Sequence, residues 1–281
     1  MAVKLGIPIG ELGLADVITV TEEADRLGFD SVWIPEHLVL PHDMRGSPFA
    51  DDPHAPIPAD MPFLDPFGLL AFLAARTEQI RLATHVLNLG LRHPFVTARA
   101  VATLDVISGG RVDLGIGASW LEGEWQALGL DFATRGRRVD EALTVCRSLW
   151  SEDITEHHGE LFDFGPVMFV PKPVQKPWPP IHIGGDGPAA LRRAALYGDG
   201  WVPMNHHLDD LAAAVARITE WRAAAGRDGA VEVTFWGPVR GPADLDRYAR
   251  AGVDRVLVRP WRLGEDPREG LHRLAAVAQA G

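Results

Sequence analysis

Residues 80–116 read IRLATHVLNLGLRHPFVTARAVATLDVISGGRVDLGI, and this stretch decides the fold. Residues 80–87 are a short apolar run, which reads as a strand. Residues 95–107 have helical spacing, and Gly109-Gly110 supplies the stop that a helix end favours. Residues 111–116 are again short and apolar, as expected of a parallel strand covered on both faces. Strand, helix and strand in that order form one βα unit.

The same alternation runs outward in both directions. Toward the N-terminus, 4–9 and 31–35 read as strands. Leu14, Val17, Ile18, Ala24 and Leu27 mark one helix face, ended by Gly28, and 66–77 reads as a further helix. Toward the C-terminus, helices are expected over 137–150, 188–197, 208–225, 243–251 and 268–279. Strands are expected over 181–183, 200–203, 231–235 and 254–258. Eight βα units in 281 residues predict an α/β fold, a closed (β/α)8 TIM barrel spanning 1–281 as one domain. A doubly wound sheet should carry its glycine fingerprint after the first strand, but that turn is Gly10-Glu11-Leu12-Gly13.

Two insertions break the rhythm. Residues 38–64, after the second strand, hold Pro41, Pro48, Pro53, Pro56, Pro58 and Pro62 and little periodicity. A loop this long at the C-terminal face of a barrel predicts an active-site lid, with Met44, Phe49, Met61 and Phe63 as apolar wall. Residues 151–180, before the fifth strand, predict a hairpin over 156–164 and then a proline-rich connection.

Composition narrows the function. Lys+Arg number 27 and Asp+Glu 38, a net charge of −11. That excess argues against a nucleic-acid partner and against a polybasic grip on membranes. No basic-then-apolar leader and no membrane-length apolar run is read, so a cytoplasmic location is expected. Cys146, the one cysteine, falls on a helical apolar stripe and reads as a buried hydrophobe.

In a barrel, chemistry is expected just after each strand. Glu36-His37 follows the second strand, and an imidazole there titrates near neutral pH and can give or take a proton. His85 and Val86 follow the third strand. Gly117-Ala118-Ser119 follows the fourth, with small residues that let a flat ligand approach the backbone, and Glu122 and Glu124 come shortly after. Gly184-Gly185 precedes a helix start, where amides can meet an anion. No metal site is expected: there is no H-E-x-x-H, and the pairs His157-His158 and His206-His207 read as solvated loop residues. A glycosidase using Glu36 and Glu124 across the mouth is conceivable, and a serine hydrolase is excluded for want of G-x-S-x-G.

Three blocks together resemble the luciferase-like monooxygenase superfamily, and more narrowly its short members that use the deazaflavin coenzyme F420. They are KLGIPIG with EADRLGFDSVWIPEH, the long run RLATHVLNLG…GRRVDEAL, and PVQKPWPPIHIGGDGPAALRRAALYGDGWVP. The resemblance implies a ring system in the barrel mouth and a hydride transfer. It implies catalytic roles for His37, as acid/base, and for Glu124. It implies cofactor contacts from Glu36, His85, Val86, Gly117, Ala118, Ser119, Gly184 and Gly185, with a non-prolyl cis peptide at His85-Val86. Ser119 stands where the family pattern has a third glycine. A homodimer and a small-molecule substrate are implied as well. An FMN-dependent monooxygenase served by a separate reductase is the alternative, and a non-catalytic flavin-binding protein a further one. Arg192 and Arg193 are the candidates to meet the anionic tail of F420.

Overall fold

The computed structural model describes residues 2–42, 44, 57 and 61–280, so most of the lid expected over 38–64, Phe49 included, lies outside the described residues. Its strands are β1 (Lys4–Pro8), β2 (Ser31–Ile34), β3 (Arg81–Thr84), β4 (Leu87–Asn88), β5 (Val112–Gly117), β6 (Ile154–His158), β7 (Asp163–Met168), β8 (Ile181–Gly184), β9 (Gly200–Val202), β10 (Glu232–Trp236) and β11 (Arg255–Leu257). The helices are α1 (Leu14–Arg26), α2 (Pro66–Ala74), α3 (Pro94–Ser108), α4 (Glu122–Ala127), α5 (Arg135–Ser151), α6 (Pro188–Tyr197), α7 (Leu211–Ala224), α8 (Pro242–Arg250) and α9 (Pro267–Gln279). Parallel pairing runs β1–β2–β3–β5–β8–β9–β10–β11 and back to β1, which closes the TIM barrel.

The third barrel strand departs from expectation. It is two pieces, β3 and β4, both paired to β5, and the His85–Val86 peptide between them is cis, as the resemblance implied. Backbone packs against backbone here. A Cβ on Gly115 would lie 1.9 Å from the Thr84 carbonyl oxygen. The Thr84 hydroxyl instead donates to the Gly115 carbonyl at 2.7 Å.

The helix ends follow ordinary stop and start chemistry. Gly109 closes α3 at φ +67, a left-handed conformation that glycine adopts without penalty. Asp65 caps α2 by accepting from the Gly68 amide at 2.8 Å, with Pro66 at the first helical position. Helix α4 was not legible in the sequence. It is six residues long, too short for periodicity to show, and it is pinned by the fully buried Trp125. The predicted hairpin is present as β6 and β7, antiparallel and longer than expected, with Ile154 opposite Met168.

The N-terminal end of the barrel is closed by an ionic floor. Arg255 donates to Asp30 at 2.6 Å and lies 3.5 Å from Asp113, with its guanidinium 5.3 Å from the centre of the Trp33 ring. Arg81 grips Asp113 with two bonds of 2.9 and 2.6 Å. Burial alone would raise the Asp113 carboxyl. Hydrogen bonds from His182 and Arg81 and the charges of His182 and Arg255 outweigh it and hold the group far below the carboxylate range. Cys146 is buried as expected, and burial pushes its thiol up, away from reactivity.

Candidate active site

The opposite end of the barrel gathers the residues singled out above. His37 leaves the end of β2, and α4 brings Glu124 to it. Nδ1 of His37 lies 3.0 Å from Oε2 of Glu124, and the other carboxylate oxygen accepts the Leu38 amide at 2.6 Å. Glu124 is fully buried. Where Nδ1 donates to the Glu124 carboxylate, Nε2 is the nitrogen left to accept a proton. No partner of Nε2 is seen among the described residues. Phe63 and Trp120 meet the imidazole edge-on, with centroids 5.1 and 5.8 Å away.

Glu36, one residue earlier, turns to other work. Its carboxylate accepts the Asn88 amide at 2.7 Å and pairs with Arg92, while its carbonyl accepts the Asn88 side chain at 3.0 Å. Burial raises the carboxyl to about 6, against the pull of Arg92 and of the Asn88 amide. Glu36 and Glu124 are therefore engaged in separate bonds. Neither faces an open gap across the mouth, which removes the basis for the two-carboxylate glycosidase reading.

His85 is half-buried between two indoles. It stacks on Trp236 at 5.8 Å and meets Trp33 edge-on at 6.1 Å. Burial pushes its imidazole down to about 4, so it is neutral at physiological pH. Val86 packs against the ends of β5 and β8: a Cβ on Gly117 would lie 2.5 Å from it, and one on Gly184 2.9 Å. Ser119 has φ +63, and among the described residues it is the one non-glycine in the left-handed region. The strain sits where the family pattern has glycine, beside the half-buried Ala118.

Gly184 and Gly185 lead into α6. The Gly185 amide donates to the Val202 carbonyl at 3.1 Å. The next residue, Asp186, accepts from the Met204 and Asn205 amides at 2.9 and 3.0 Å and lies 2.7 Å from His206. His206 is thus a paired residue rather than the solvated one expected. His157 is paired too, 3.2 Å from Glu141. Sequence reasoning had no means to find these pairs, because the carboxylates are 16 and 20 residues away. A hollow of about 470 Å3 lies beyond this turn, lined by Asp186, Asn205, His206, Asp210 and Arg217 among others. Arg193 is withdrawn from the tail-binding role considered for it: it is buried and donates to Asp140 at 2.6 Å. Arg192 is exposed.

The site fits a flat ring with an anionic arm. Its walls are aromatic, Trp236 is 44% exposed at the rim, and small residues line one side. The N-terminus of α6 has no side-chain cap, which leaves its first amides to an anion. Among the described residues no cluster of His, Cys, Asp and Glu suits a metal ion. No helix there is long and apolar enough to cross a membrane.

The model of the luciferase-like monooxygenase family matches residues 5–254. The chain belongs to the luciferase-like monooxygenase family. An uncharacterised protein of Mycobacterium tuberculosis is 34% identical over 240 residues, covering 85% of this chain and 80% of its own. Among solved structures, the coenzyme F420-dependent tetrahydromethanopterin reductase of Methanopyrus kandleri superposes with a TM-score of 0.78 at 18% identity, over 99% of this chain and 98% of that one. The FMN-bound oxygenating component of 3,6-diketocamphane monooxygenase of Pseudomonas putida gives a TM-score of 0.66 at 22% identity, over 86% of this chain and 68% of that one. These likenesses show the fold. Membership of this family indicates an oxidoreductase of the luciferase-like monooxygenase class.

Proposed function

We propose that the protein is an F420-dependent oxidoreductase that moves a hydride between the deazaflavin and a small organic substrate. The observation that carries this reading is the His37–Glu124 pair. Hydride transfer to or from an oxygen-bearing carbon must be matched by one proton at the oxygen, and a held imidazole with a bare nitrogen handles that proton. The near-complete superposition on an F420 enzyme of similar length supports the same reading.

When bound, F420 supplies the ring carbon that takes up or gives back the hydride. His85, Val86, Gly117, Ala118 and Ser119 would hold the ring, and Gly184, Gly185 and the start of α6 its phosphate. Nε2 of His37 takes the hydroxyl proton when an alcohol is oxidised and returns it when a carbonyl is reduced. Glu124 stabilises the imidazolium formed in between. Phe63 and Trp120 shield that pair from water, which strengthens the ionic contact.

Side-by-side fluorescence-quenching titrations of the purified protein with F420 and with FMN test the reading. Tight F420 binding with weak FMN binding supports it. The reverse result assigns the protein to the FMN-dependent monooxygenases and overturns the proposal.

A further inference from the structure

Arg92 has no role in the chemistry described so far, yet it is the one cation seen to pair with the carboxylate next to His37 among the described residues. It lies just after β4, with its side chain 12% exposed. One guanidinium nitrogen, Nη2, serves two carboxylates from different parts of the chain. It pairs with Glu36, whose side chain is 1% exposed, and with Asp65 at 3.3 Å. Asp65 is also the cap of α2, two residues past the Phe63 that meets His37. The guanidinium further lies 5.9 Å from the centre of the Phe67 ring on α2.

The surroundings make the pairing consequential. The groups acting on Glu36 are Arg92, the Asn88 amide, Glu124 and Asp65. Two buried carboxylates, Glu36 and Glu124, thus act on one another, Glu124 against the imidazole and Glu36 one residue before it, and Arg92 supplies the charge that compensates Glu36. A buried carboxylate that loses its cation must either take a proton or be expelled toward water. Either change would act on the backbone that carries His37.

We propose that Arg92 is a positioning residue of the active site, which ties Glu36 at the end of β2 to Asp65 at the start of α2 and so holds His37 against Glu124 and Phe63. The inference rests on the reading of His37 as the proton-handling group, but its first test does not use the cofactor. Arg92 is placed here neither in contact with substrate nor with coenzyme.

The latch depends on the charge of Glu36, and pH exposes that dependence. Glu36 already sits at about 6 with Arg92 present, so without the guanidinium it titrates higher still. The full-length variants R92Q, R92K and R92Q/E36Q are compared with the parent by thermal melting at about pH 5 and about pH 8. At the lower pH Glu36 is largely protonated wherever it is present, and R92Q lies only slightly below the parent in Tm. At the higher pH the R92Q deficit is expected to at least double. R92K keeps the charge and recovers most of the loss. R92Q/E36Q has no carboxylate to strand, so its deficit does not grow with pH; because the parent itself loses the Glu36 contribution as pH rises through about 6, that deficit is expected to shrink at the higher pH.

A Tm deficit of R92Q that is equal at both pH values, or R92K no better than R92Q, overturns the proposal, because loss of packing alone predicts both. In the F420-loaded protein, R92Q is expected to lower kcat about tenfold above neutral pH with the coenzyme Kd changed less than about twofold. An unchanged kcat there would reduce Arg92 to a structural brace and likewise overturns the proposal. Absence of F420 binding in the parent would instead sink the cofactor reading, and the melting series would still decide the latch.

Discussion

Glu124 lies 3.0 Å from His37 although 87 residues separate them, and the same carboxylate accepts the amide of the residue after the histidine. One side chain therefore fixes both the orientation of the imidazole and the course of the backbone leaving β2. The arrangement engages one nitrogen with Glu124 and leaves the other without a partner among the described residues.

Replacing His37 separates binding from chemistry. His37→Ala removes the proton carrier and leaves the aromatic walls and glycine turns in place. Coenzyme affinity is expected to stay within a few fold, while kcat falls by about 10² to 10⁴. Titration of the coenzyme and steady-state rates on the same preparation measure both. An undiminished rate would remove His37 from the mechanism.

Glu124→Gln keeps the shape and removes the charge. The Leu38 amide retains an acceptor, but the imidazolium loses its counter-ion. We expect kcat to fall by roughly 10- to 100-fold, and stability to drop by about 1–3 kcal/mol because a buried hydrogen-bonded charge is replaced by an amide. Urea unfolding and rate measurements read the two effects separately.

Two glycines of the mouth differ in what a methyl group would meet. At Gly115 it would meet a backbone carbonyl at 1.9 Å, and backbone cannot step aside. At Gly117 it would meet a Val86 methyl at 2.5 Å, which a side chain can relieve by moving. Gly115→Ala is expected to abolish soluble expression. Gly117→Ala should fold and lose coenzyme affinity. Equal behaviour of the two variants would contradict this placement of Val86.

Ser119 occupies a conformation that costs a residue with a Cβ about 1 kcal/mol. Ser119→Gly should therefore raise Tm by a few degrees. Coenzyme affinity measured in the same variant shows what the hydroxyl itself contributes to the mouth.

Acid should unfold the barrel from its floor and its mouth together. Asp113 is held below its unfolded value, so its contribution is present above about pH 4 and is lost as pH falls below that. The His85 imidazole is lowered to about 4, so the unfolded chain binds its proton first, and stability declines as pH falls from about 6.5 toward 4. Glu36 has the opposite sign. Its raised value makes its contribution largest below about 4.5 and lost as pH rises through about 6. Chemical unfolding between pH 4 and 8 should show Asp113→Asn destabilised by roughly 3–5 kcal/mol near neutrality, since Arg81 and Arg255 lose their shared partner.

The order of strands and helices was legible because a βα barrel repeats one local rule. Each strand is a short apolar run, each helix carries a periodic face, and each joint is marked by glycine or proline. The sequence also marked the C-terminal strand ends where His37, His85, Gly117 and Gly184 stand, since in this fold those ends form a single rim. What stayed hidden were the partners. Arg92 reached Glu36, Asp186 reached His206, and Arg193 turned inward to Asp140, all through contacts between chain segments far apart in sequence. The break between β3 and β4 and the short helix that delivers Glu124 were likewise beyond pattern reading. Local periodicity encodes which face of an element is buried, and so determines the barrel. Which charged group meets which depends on distances set only when the barrel closes, and that closure decided the site.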